Sequence, residues 1–401
     1  MIQVYDTTLR DGSQRKDISL LCNDKLRIAQ RLDELGVAFI EGGWPGSNPK
    51  DVEFFERARR MTWKTALISA FGSTCQANLD PAEDPNIRAL LEAETPVCTI
   101  FGKSSVLHVT EVLRTTKDNN LRMIEQSVAY LRGQGRRVIY DAEHFFDGYG
   151  EDPAYALATL QAAVRGGAET LTLCDTNGGT LPWQVEEIIR AVQRDVSAPL
   201  GIHAHNDTEN AVANSITAVR AGCIQVQGTI NGYGERCGNA NLCSIIPNLE
   251  LKMGLQALPA GQVTHMFEVA HFVAEIANLA PDEQLAYVGR SAFAHKGGVH
   301  VAAMRRNAHS YQHIVPELVG NRMEVVVSEL SGKGNLLSKA EEYGVDSGDS
   351  HQVNQVLKNI KQLEAQGFSF EAAEASVVMM FKRQEQNYVK PFELIDFSAL
   401  V

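Results

Sequence analysis

The stretch LTLCDTNGGTLPWQVEEIIRAVQRDVSAPLGIHAH, residues 171–205, contains two short apolar runs with a helix-period segment between them. LTLCD (171–175) and LGIHAH (200–205) have the length of buried strands, while PWQVEEIIRAVQRD (182–195) repeats its apolar residues at helical spacing. A helix between two strands returns the chain to the start of the sheet, so the second strand runs parallel to the first. The stretch therefore predicts one strand–helix–strand unit of a parallel sheet.

Six further runs of the same kind predict a sheet of eight strands. They are IQVYD (2–6), AFIEG (38–42), TALISAF (65–71), VCTIFG (97–102), RVIYDAE (137–143) and CIQVQGT (223–229). The segments between them have helical periodicity, and in the first of these Asn23 is expected to cap the helix start and Gly36 to end it. Eight units at a spacing of roughly thirty residues predict a closed (β/α)8 TIM barrel. The alternative, an open doubly wound sheet, lacks its Gly-x-Gly-x-x-Gly turn after a strand.

The alternation of strands and helices stops near residue 258. We expect residues 1–258 to form the catalytic barrel and residues 259–401 to form an α-helical accessory region. Within that region the sequence FAHKGGVH (293–300) separates two helical segments with an insert rich in Gly and His. The predicted fold class is therefore α/β, a TIM barrel followed by helices.

Composition excludes several classes of function. The 401 residues are 44% hydrophobic and 21% charged, which is typical of a soluble globular protein. A net charge of -12 argues against nucleic-acid and anionic-membrane partners, which need a concentrated basic surface. We find neither a signal peptide nor an apolar stretch of the ~20 residues that a membrane span requires. Seven cysteines without a Cys-x-x-Cys pair indicate a reducing, cytoplasmic compartment.

Polar residues follow nearly every predicted strand. In a TIM barrel the active site lies at the C-terminal ends of the strands, so these residues are the first candidates for chemistry. In chain order they are Arg10, Asp11, Gln14, Glu41, Asp141, Glu143, Asp175, Thr176, His203, His205, Glu235, Arg236 and Asn239.

His203 and His205 project from the same face of their strand because they are two residues apart. The spacing alone leaves open a core or acid–base role for this pair. Convergence with Asp11 and Asn239 favours a divalent metal site with two oxygen and two nitrogen donors. Such donors suit Mg²⁺, Mn²⁺ or Zn²⁺ without deciding among them. The two remaining positions of an octahedral shell fit a 2-oxo acid bound through its carboxylate and ketone oxygens.

Four more rim residues have candidate roles beside such a substrate. Arg10 can neutralise an alkoxide that forms at the ketone, although a structural pair with Asp11 is the alternative. Thr176 can donate to the substrate carboxylate or bond to its own turn. Asp141 and Glu143 are candidates for the general base, or for orienting water or Arg10.

Three motifs together resemble the family of α-isopropylmalate, homocitrate and citramalate synthases. They are YDTTLRDGSQ (5–14), GIHAHND (201–207) and ERCGNANL (235–242). The resemblance continues through FAHKGGVHVAA (293–303) and YQHIVPELVGN (311–321) to roughly residue 390. It therefore covers nearly the whole chain.

Three other stretches resemble the citramalate synthase branch of this family: EGGWPGSNPKD (41–51), LCDTNGG (173–179) and ELVGNRMEVVVSELSGKGN (317–335). The resemblance implies an acyltransferase of isoleucine biosynthesis that condenses acetyl-CoA with pyruvate to give citramalate and CoA. It also implies that the divalent metal is held by Asp11, His203, His205 and Asn239, with Arg10 at the oxo group and Thr176 at the carboxylate.

The resemblance further implies a homodimer in which the helical region of one chain covers the active site of the other. His300 in GGVH and Tyr311 in SYQH match a histidine and a tyrosine that family members contribute from that region. Many members continue into a C-terminal regulatory domain, and we expect no complete domain of that kind within these residues.

The identity of the 2-oxo acid depends on the pocket. Phe71 and Phe101 are expected to narrow it to a methyl group, and Gln14 to line it, which favours pyruvate. Since one methyl group contributes only ~1–3 kcal/mol to discrimination, 2-isopropylmalate or homocitrate synthase activity stays an alternative. A lyase like those of hydroxymethylglutaryl-CoA is less favoured, because GYGERCGNAN (232–241) lacks their Gly-Cys-Pro-Tyr-Ala loop. A non-catalytic protein with an inherited barrel is also less favoured, because the sequence contains Asp11, His203, His205, Asn239 and Arg10 together.

Overall fold

A computed structural model describes residues 1–328, 330–344, 350–385 and 387–398. The chain divides into two compact units, Met1–Gly289 and Arg290–Val401. The sequence analysis ends the barrel at residue 258, whereas the first unit of the structure continues to Gly289.

The first unit is built around eight parallel strands that close into a barrel in chain order. The strands are β1 (Gln3–Asp6), β2 (Phe39–Gly43), β3 (Leu67–Ser73), β4 (Val97–Lys103), β5 (Arg137–Glu143), β6 (Thr170–Asp175), β7 (Leu200–Ala204) and β8 (Gln225–Gly228). β8 pairs in parallel with β1 and closes the barrel. The predicted TIM barrel is confirmed, and every predicted strand overlaps an observed one.

Ten α-helices accompany the strands of the first unit. They are α1 (Cys22–Leu35), α2 (Pro49–Ala58), α3 (Pro85–Glu92), α4 (Lys117–Gly133), α5 (Phe145–Glu151), α6 (Pro153–Gly166), α7 (Pro182–Asp195), α8 (Ala211–Arg220), α9 (Leu242–Pro247) and α10 (Met266–Ile276). Four of them start with proline, which has no N–H to leave unpaired in the first turn and whose fixed φ suits the helix. α10 lies beyond residue 258 and packs against α1.

The start of α1 differs from the prediction. The N-cap is Leu21, whose backbone N–H donates to the side chain of Asp24 at 2.9 Å. Asn23 lies inside the first turn, so its predicted capping role is wrong: the carboxylate one residue later satisfies the helix start instead. Gly36 ends the helix with φ 92°, as predicted.

The barrel interior changes from apolar to polar towards the C-terminal ends of the strands. Near the other end, Tyr5, Phe39, Val97 and Ile139 form a buried cluster. Inward-facing side chains recur every two residues, so the next position after Phe39 on the inside of β2 is the fully buried Glu41. The polar layer thus begins directly above the apolar cluster.

The second unit is mainly helical, as predicted. It contains α11 (Gly298–Arg306), α12 (Lys333–Glu342), α13 (Ser350–Glu364) and α14 (Glu374–Lys382), with a two-stranded parallel sheet of β9 (Ala294–His295) and β10 (Glu324–Val325). Its core includes Leu336, Val353, Val356, Ile360 and Phe381. In neither unit do the described residues form a helix with the length and apolar character that a bilayer crossing requires.

Candidate active site

Three predicted metal ligands meet at the C-terminal mouth of the barrel. Asp11 follows β1, His203 lies on β7, and His205 comes directly after that strand. His203 Nε2 lies 3.1 Å from Asp11 Oδ2 and 3.4 Å from His205 Nε2. One ligand atom of each residue lies within 4.8 Å of the others, and all three residues are buried. The three donors are therefore close enough to hold one cation, although Asp11 lies far from the two histidines in sequence.

Asn239, the fourth predicted ligand, is brought beside His205 by an antiparallel β-bridge. Its Nδ2 donates to the carbonyl oxygen of Tyr233 at 3.1 Å, while its buried Oδ1 has no hydrogen-bond partner among the described residues. The Nδ1 atom of His205 is likewise buried without a described partner. Because an unsatisfied buried acceptor costs about 1–3 kcal/mol, the unpaired oxygen of Asn239 fits an oxygen ligand of a cation. The residues present therefore fit a divalent metal ion.

The charge states of two members of the cluster, Asp11 and His205, suit the same interpretation. Burial alone would raise the pKa of the Asp11 carboxyl, but Arg10 and then His203 hold it well below its usual range. Burial, helped by the neighbouring His203, lowers the pKa of His205 to about 4. At neutral pH Asp11 is thus an anion and His205 is a neutral imidazole, which are the forms that bind metal.

Arg10 is fixed beside this cluster by three contacts. Its Nε forms an ion pair with Glu41, its Nη2 lies 3.5 Å from Asp11 Oδ2, and its guanidinium carbon lies 3.7 Å from the centroid of the Phe71 ring. Glu41 in turn accepts a hydrogen bond from the Tyr5 hydroxyl at 2.7 Å. Burial would lower the pKa of Arg10, but Glu41 and Asp11 raise it above its usual range. Arg10 is therefore a permanent cation in one orientation.

Glu41 is a functional residue whose role the sequence analysis missed. It appeared there only as one of the polar residues at strand ends. The sequence gives no sign of its pairing with Arg10, because Arg10 follows β1 whereas Glu41 lies on β2, 31 positions later. The structure shows that Glu41, rather than Asp11, is the main partner of Arg10.

A cavity of about 340 Å³ opens at this mouth of the barrel. It brings together all the predicted site residues of the first unit except Asn239. Those that line it are Arg10, Asp11, Gln14, Phe71, Phe101, Asp141, Glu143, Thr176, His203 and His205.

One wall of the cavity is aromatic. The rings of Phe71 and Phe101 stack with centroids 5.4 Å apart, and Trp44 meets them edge-on at 5.8 and 5.5 Å. Trp44 is held by a hydrogen bond from its Nε1 to Asn86 Oδ1 at 2.7 Å. The sequence analysis predicted the two phenylalanines but missed Trp44, which lies in the loop after β2 rather than on a strand.

The hydroxyl of Thr176 is oriented by the backbone of a neighbouring loop. Its Oγ1 accepts a hydrogen bond from the His144 N–H at 2.9 Å. A threonine oxygen that accepts in this way keeps its own hydrogen for donation, and Thr176 lines the cavity. The side chain is thus able to donate to an anionic group there.

The two base candidates have different surroundings. Asp141 is buried and accepts a hydrogen bond from Gln227 Nε2 at 3.0 Å, and burial followed by the charge of Glu41 raises its pKa to about 7. Glu143, two residues further along β5, is more exposed and forms an ion pair with Lys103. Lys103 and Gln227 were missed in the sequence analysis, which considered strand ends and passed over a lysine on β4 and an amide within β8.

His300 and Tyr311 lie in the second unit. Their rings stack with centroids 4.2 Å apart, and both side chains are exposed in this chain. Their participation in the active site stays a prediction.

A closed parallel barrel with a buried Asp-His-His cluster and a fixed arginine at its C-terminal mouth defines a class of protein: a TIM-barrel enzyme with a cluster of side chains that could hold a metal ion. Comparison with known proteins supports this class. Residues 1–273 match the HMGL-like family, and residues 287–367 match the homocitrate synthase post-HMGL domain-like family. The chain therefore belongs to the HMGL-like family, and its identity of 52% and 54% to two (R)-citramalate synthases places it in the citramalate synthase branch.

The similarity to two relatives extends over nearly the full chain. The chain is 52% identical over 401 residues to the (R)-citramalate synthase of Geobacter sulfurreducens, covering 100% of this chain and 76% of that protein. It is 54% identical over 384 residues to the (R)-citramalate synthase of Aquifex aeolicus, covering 95% and 73%. Among solved structures, the HMG-CoA lyase of Brucella melitensis has a TM-score of 0.58 at 16% identity, covering 69% of this chain and 99% of that one. This last likeness concerns the fold alone.

Proposed function

We propose that this chain is an acyltransferase that condenses acetyl-CoA with pyruvate and water to give citramalate and CoA. One observation carries the proposal: a single cavity combines a cation-binding cluster, a fixed guanidinium and an aromatic wall. The high identity to (R)-citramalate synthases over nearly the whole chain supports the choice of substrates.

Pyruvate binds in this cavity by groups that match its two ends. Arg10 donates to the ketone oxygen, the Thr176 hydroxyl donates to the carboxylate, and the methyl group packs on the wall of Phe71 and Phe101. Gln14 lines the outer part of the same cavity. An apolar wall gives no hydrogen bond to a polar substituent such as the second carboxylate of 2-oxoglutarate, so it favours an aliphatic group such as the methyl group of pyruvate.

A divalent cation, Mg²⁺, Mn²⁺ or Zn²⁺, is the cofactor of this proposal, with Asp11, His203, His205 and Asn239 as its protein ligands. When bound, it supplies Lewis-acid polarisation of the 2-oxo acid and a template for its orientation.

The chemistry needs a base and a stabilised alkoxide. Glu143 removes a proton from the methyl group of acetyl-CoA, since it stands at the end of β5 and lines the cavity. The enol carbon then forms a bond to the ketone carbon of pyruvate, and the electron pair of the C=O bond moves to oxygen, where Arg10 stabilises the charge. The alkoxide takes up a proton to become the tertiary hydroxyl, and water then hydrolyses the thioester, so that the new carboxylate forms and CoA leaves as the thiol. Asp141, which is deeper and bonded to Gln227, is the alternative base.

The second unit completes the site in this proposal. His300 and Tyr311 act at the active site of the other subunit of a homodimer, and the helical region excludes bulk water while the carbon–carbon bond forms. Their exposure in the single chain supports this role. Seven free cysteines, of which only Cys237 is exposed, support a cytoplasmic location.

The decisive experiment measures CoA release from acetyl-CoA with a series of 2-oxo acids: pyruvate, 2-oxobutyrate, 2-oxoisovalerate, 2-oxoglutarate and glyoxylate. We expect fastest turnover with pyruvate, weaker turnover with 2-oxobutyrate, and citramalate as the product. Fastest turnover with 2-oxoisovalerate or 2-oxoglutarate would identify a 2-isopropylmalate or homocitrate synthase instead. The Glu143→Gln and Asp141→Asn variants, assayed beside the wild type, test the base, and unchanged turnover of Glu143→Gln excludes it.

A further inference from the structure

The side chain of Gln227 links a candidate metal ligand to the polar interior of the barrel. Gln225 and Gln227 both point inward from β8, and both are fully buried. The Nδ1 atom of His203 lies 2.9 Å from Gln227 Oε1. Neither the family nor the chemistry proposed above assigns Gln227 a role.

The surroundings of Gln227 determine which end of its amide faces the histidine. Its Nε2 donates to Asp141 Oδ1 at 3.0 Å and to Thr172 Oγ1 at 3.1 Å. The Thr172 hydroxyl donates its own hydrogen to Gln225 Oε1 at 3.4 Å, so its oxygen meets Gln227 as an acceptor. With two acceptors at the nitrogen end of the amide, the oxygen end is directed to His203.

An amide oxygen can only accept a hydrogen bond, so the ring nitrogen that faces it must carry a hydrogen. We propose that Gln227 is a positioning residue that accepts the Nδ1–H of His203 and so directs Nε2 of that ring towards the candidate metal site. Nε2 lies 3.1 Å from the Asp11 carboxylate, to which it donates in the metal-free protein, and 3.4 Å from His205 Nε2, so it is the atom in place to bind a cation when one displaces that hydrogen. His205 has no such support, because its Nδ1 lacks a described partner.

The consequence is that one imidazole of the pair is fixed before a cation arrives, while the other adjusts. Partners that fix the tautomer of a ligating histidine are typically worth about 10–100-fold in metal affinity. The inference rests on the metal site of the proposed function, but it concerns the free protein and does not depend on the substrates.

Binding of Mn²⁺ to the metal-free full chain, followed by calorimetry, provides the first test. Gln227→Met keeps the length of the side chain and removes the acceptor, and it is expected to weaken Mn²⁺ binding about 10–100-fold. Asn120→Leu is the control, since Asn120 is another fully buried amide of the first unit, and its side chain donates to the Lys103 carbonyl and the Tyr155 hydroxyl rather than to a proposed metal ligand. Equal losses in the two variants, or no loss in Gln227→Met, would overturn the proposal.

The second test reads directly from the ring ¹⁵N resonances of His203 whether Nδ1 carries a hydrogen in the metal-free protein, in mildly alkaline buffer. A His203→Asn variant assigns the signals. We expect a hydrogen on Nδ1 in the wild type and in Gln227→Glu, which keeps an acceptor, and its loss in Gln227→Met, in which the ring donates to Asp11 from Nε2 alone. A wild-type protein without a hydrogen on Nδ1 refutes the inference even if no variant folds. That result leaves the proposed function untouched, whereas a hydrogen on Nδ1 in a protein that does not use pyruvate contradicts only the function.

Discussion

The proposed role of Arg10 depends on the orientation of its guanidinium as well as on its positive charge. Its guanidinium is held by Glu41 on one side and the face of Phe71 on the other. Arg10→Lys keeps the positive charge but removes the planar guanidinium that stacks on Phe71 and pairs with Glu41. We therefore expect kcat with pyruvate to fall on the order of 10²-fold. Arg15→Lys, at an exposed position on the same loop, is the control and should leave kcat unchanged. An Arg10→Lys enzyme with normal kcat would show that positive charge alone suffices.

Gly234 allows Asn239 to reach its position. A Cβ atom added at Gly234 would lie 2.1 Å from Asn239 Nδ2, so the amide must move. Gly234→Ala is therefore expected to weaken Mn²⁺ binding by displacing a ligand. Gly150→Ala is the matched control, because a Cβ there meets nothing within 4 Å. If both variants bind Mn²⁺ as tightly as the wild type, Asn239 is not a ligand.

The closure of the barrel between β1 and β8 depends on Thr8. Its hydroxyl donates to Asp6 Oδ2 at 2.9 Å and accepts from the Ile230 N–H at 2.9 Å, so it joins the segments that follow the two strands. Thr8→Val keeps the shape and leaves the Ile230 N–H buried without a partner, which should lower the free energy of unfolding by about 1–3 kcal/mol. Thr110→Val, at an exposed site, should change it by less than about 0.5 kcal/mol. Urea unfolding followed by circular dichroism measures both, and equal values would contradict this role of Thr8.

The strands could be predicted because a parallel sheet is buried on both faces and its strands read as short apolar runs. The same logic placed Asp11, His203 and His205 at one rim, since all parallel strands end there. This reasoning failed where the role of a residue depends on its neighbours in the folded chain. Nothing in the sequence links Arg10 to Glu41, and Gln227 lies inside its strand rather than at its end. The start of α1 was predicted wrongly for a related reason. Asn23 and Asp24 are both able to cap a helix, and the sequence does not show which of the two side chains does so.

The stability of the whole barrel should depend on pH through Asp6. Burial raises the pKa of this carboxyl to about 7, although hydrogen bonds from Thr8 oppose the shift. An acid whose pKa is raised in the folded state binds more protons there than when unfolded, so its stabilising contribution is present at low pH and is lost as the pH rises to about 7. Asp6→Asn keeps the shape and does not titrate.

The free energy of unfolding of Asp6→Asn, relative to the wild type, should therefore rise between about pH 4 and about pH 7, at up to about 1.4 kcal/mol per pH unit, and stay level at higher pH. Asp141, whose pKa is raised similarly, titrates in both proteins and cancels in the comparison. Urea unfolding at several pH values gives the two curves. Parallel curves would mean that Asp6 does not titrate in this range.

The largest question at the scale of the molecule is whether one subunit completes the site of another. Asp11→Asn disables the barrel, and His300→Ala disables the helical region. If the helical region acts on the other subunit of a homodimer, a mixed dimer of these two variants contains one site with a normal barrel and a normal cover. Random mixing at equal amounts should then recover about a quarter of wild-type activity from two inactive proteins.

The activity of the mixed dimer distinguishes a site shared between subunits from a site within one chain, which the single variants cannot do. If His300 served the barrel of its own chain, every site in the mixed dimer would carry one disabled part, and activity would stay at the level of the separate variants. The mixture is formed by unfolding and refolding the two proteins together, and the Asp11→Asn protein refolded alone supplies the baseline. Recovery that requires co-refolding, and is absent when the folded proteins are simply combined, shows that the active site is shared between subunits.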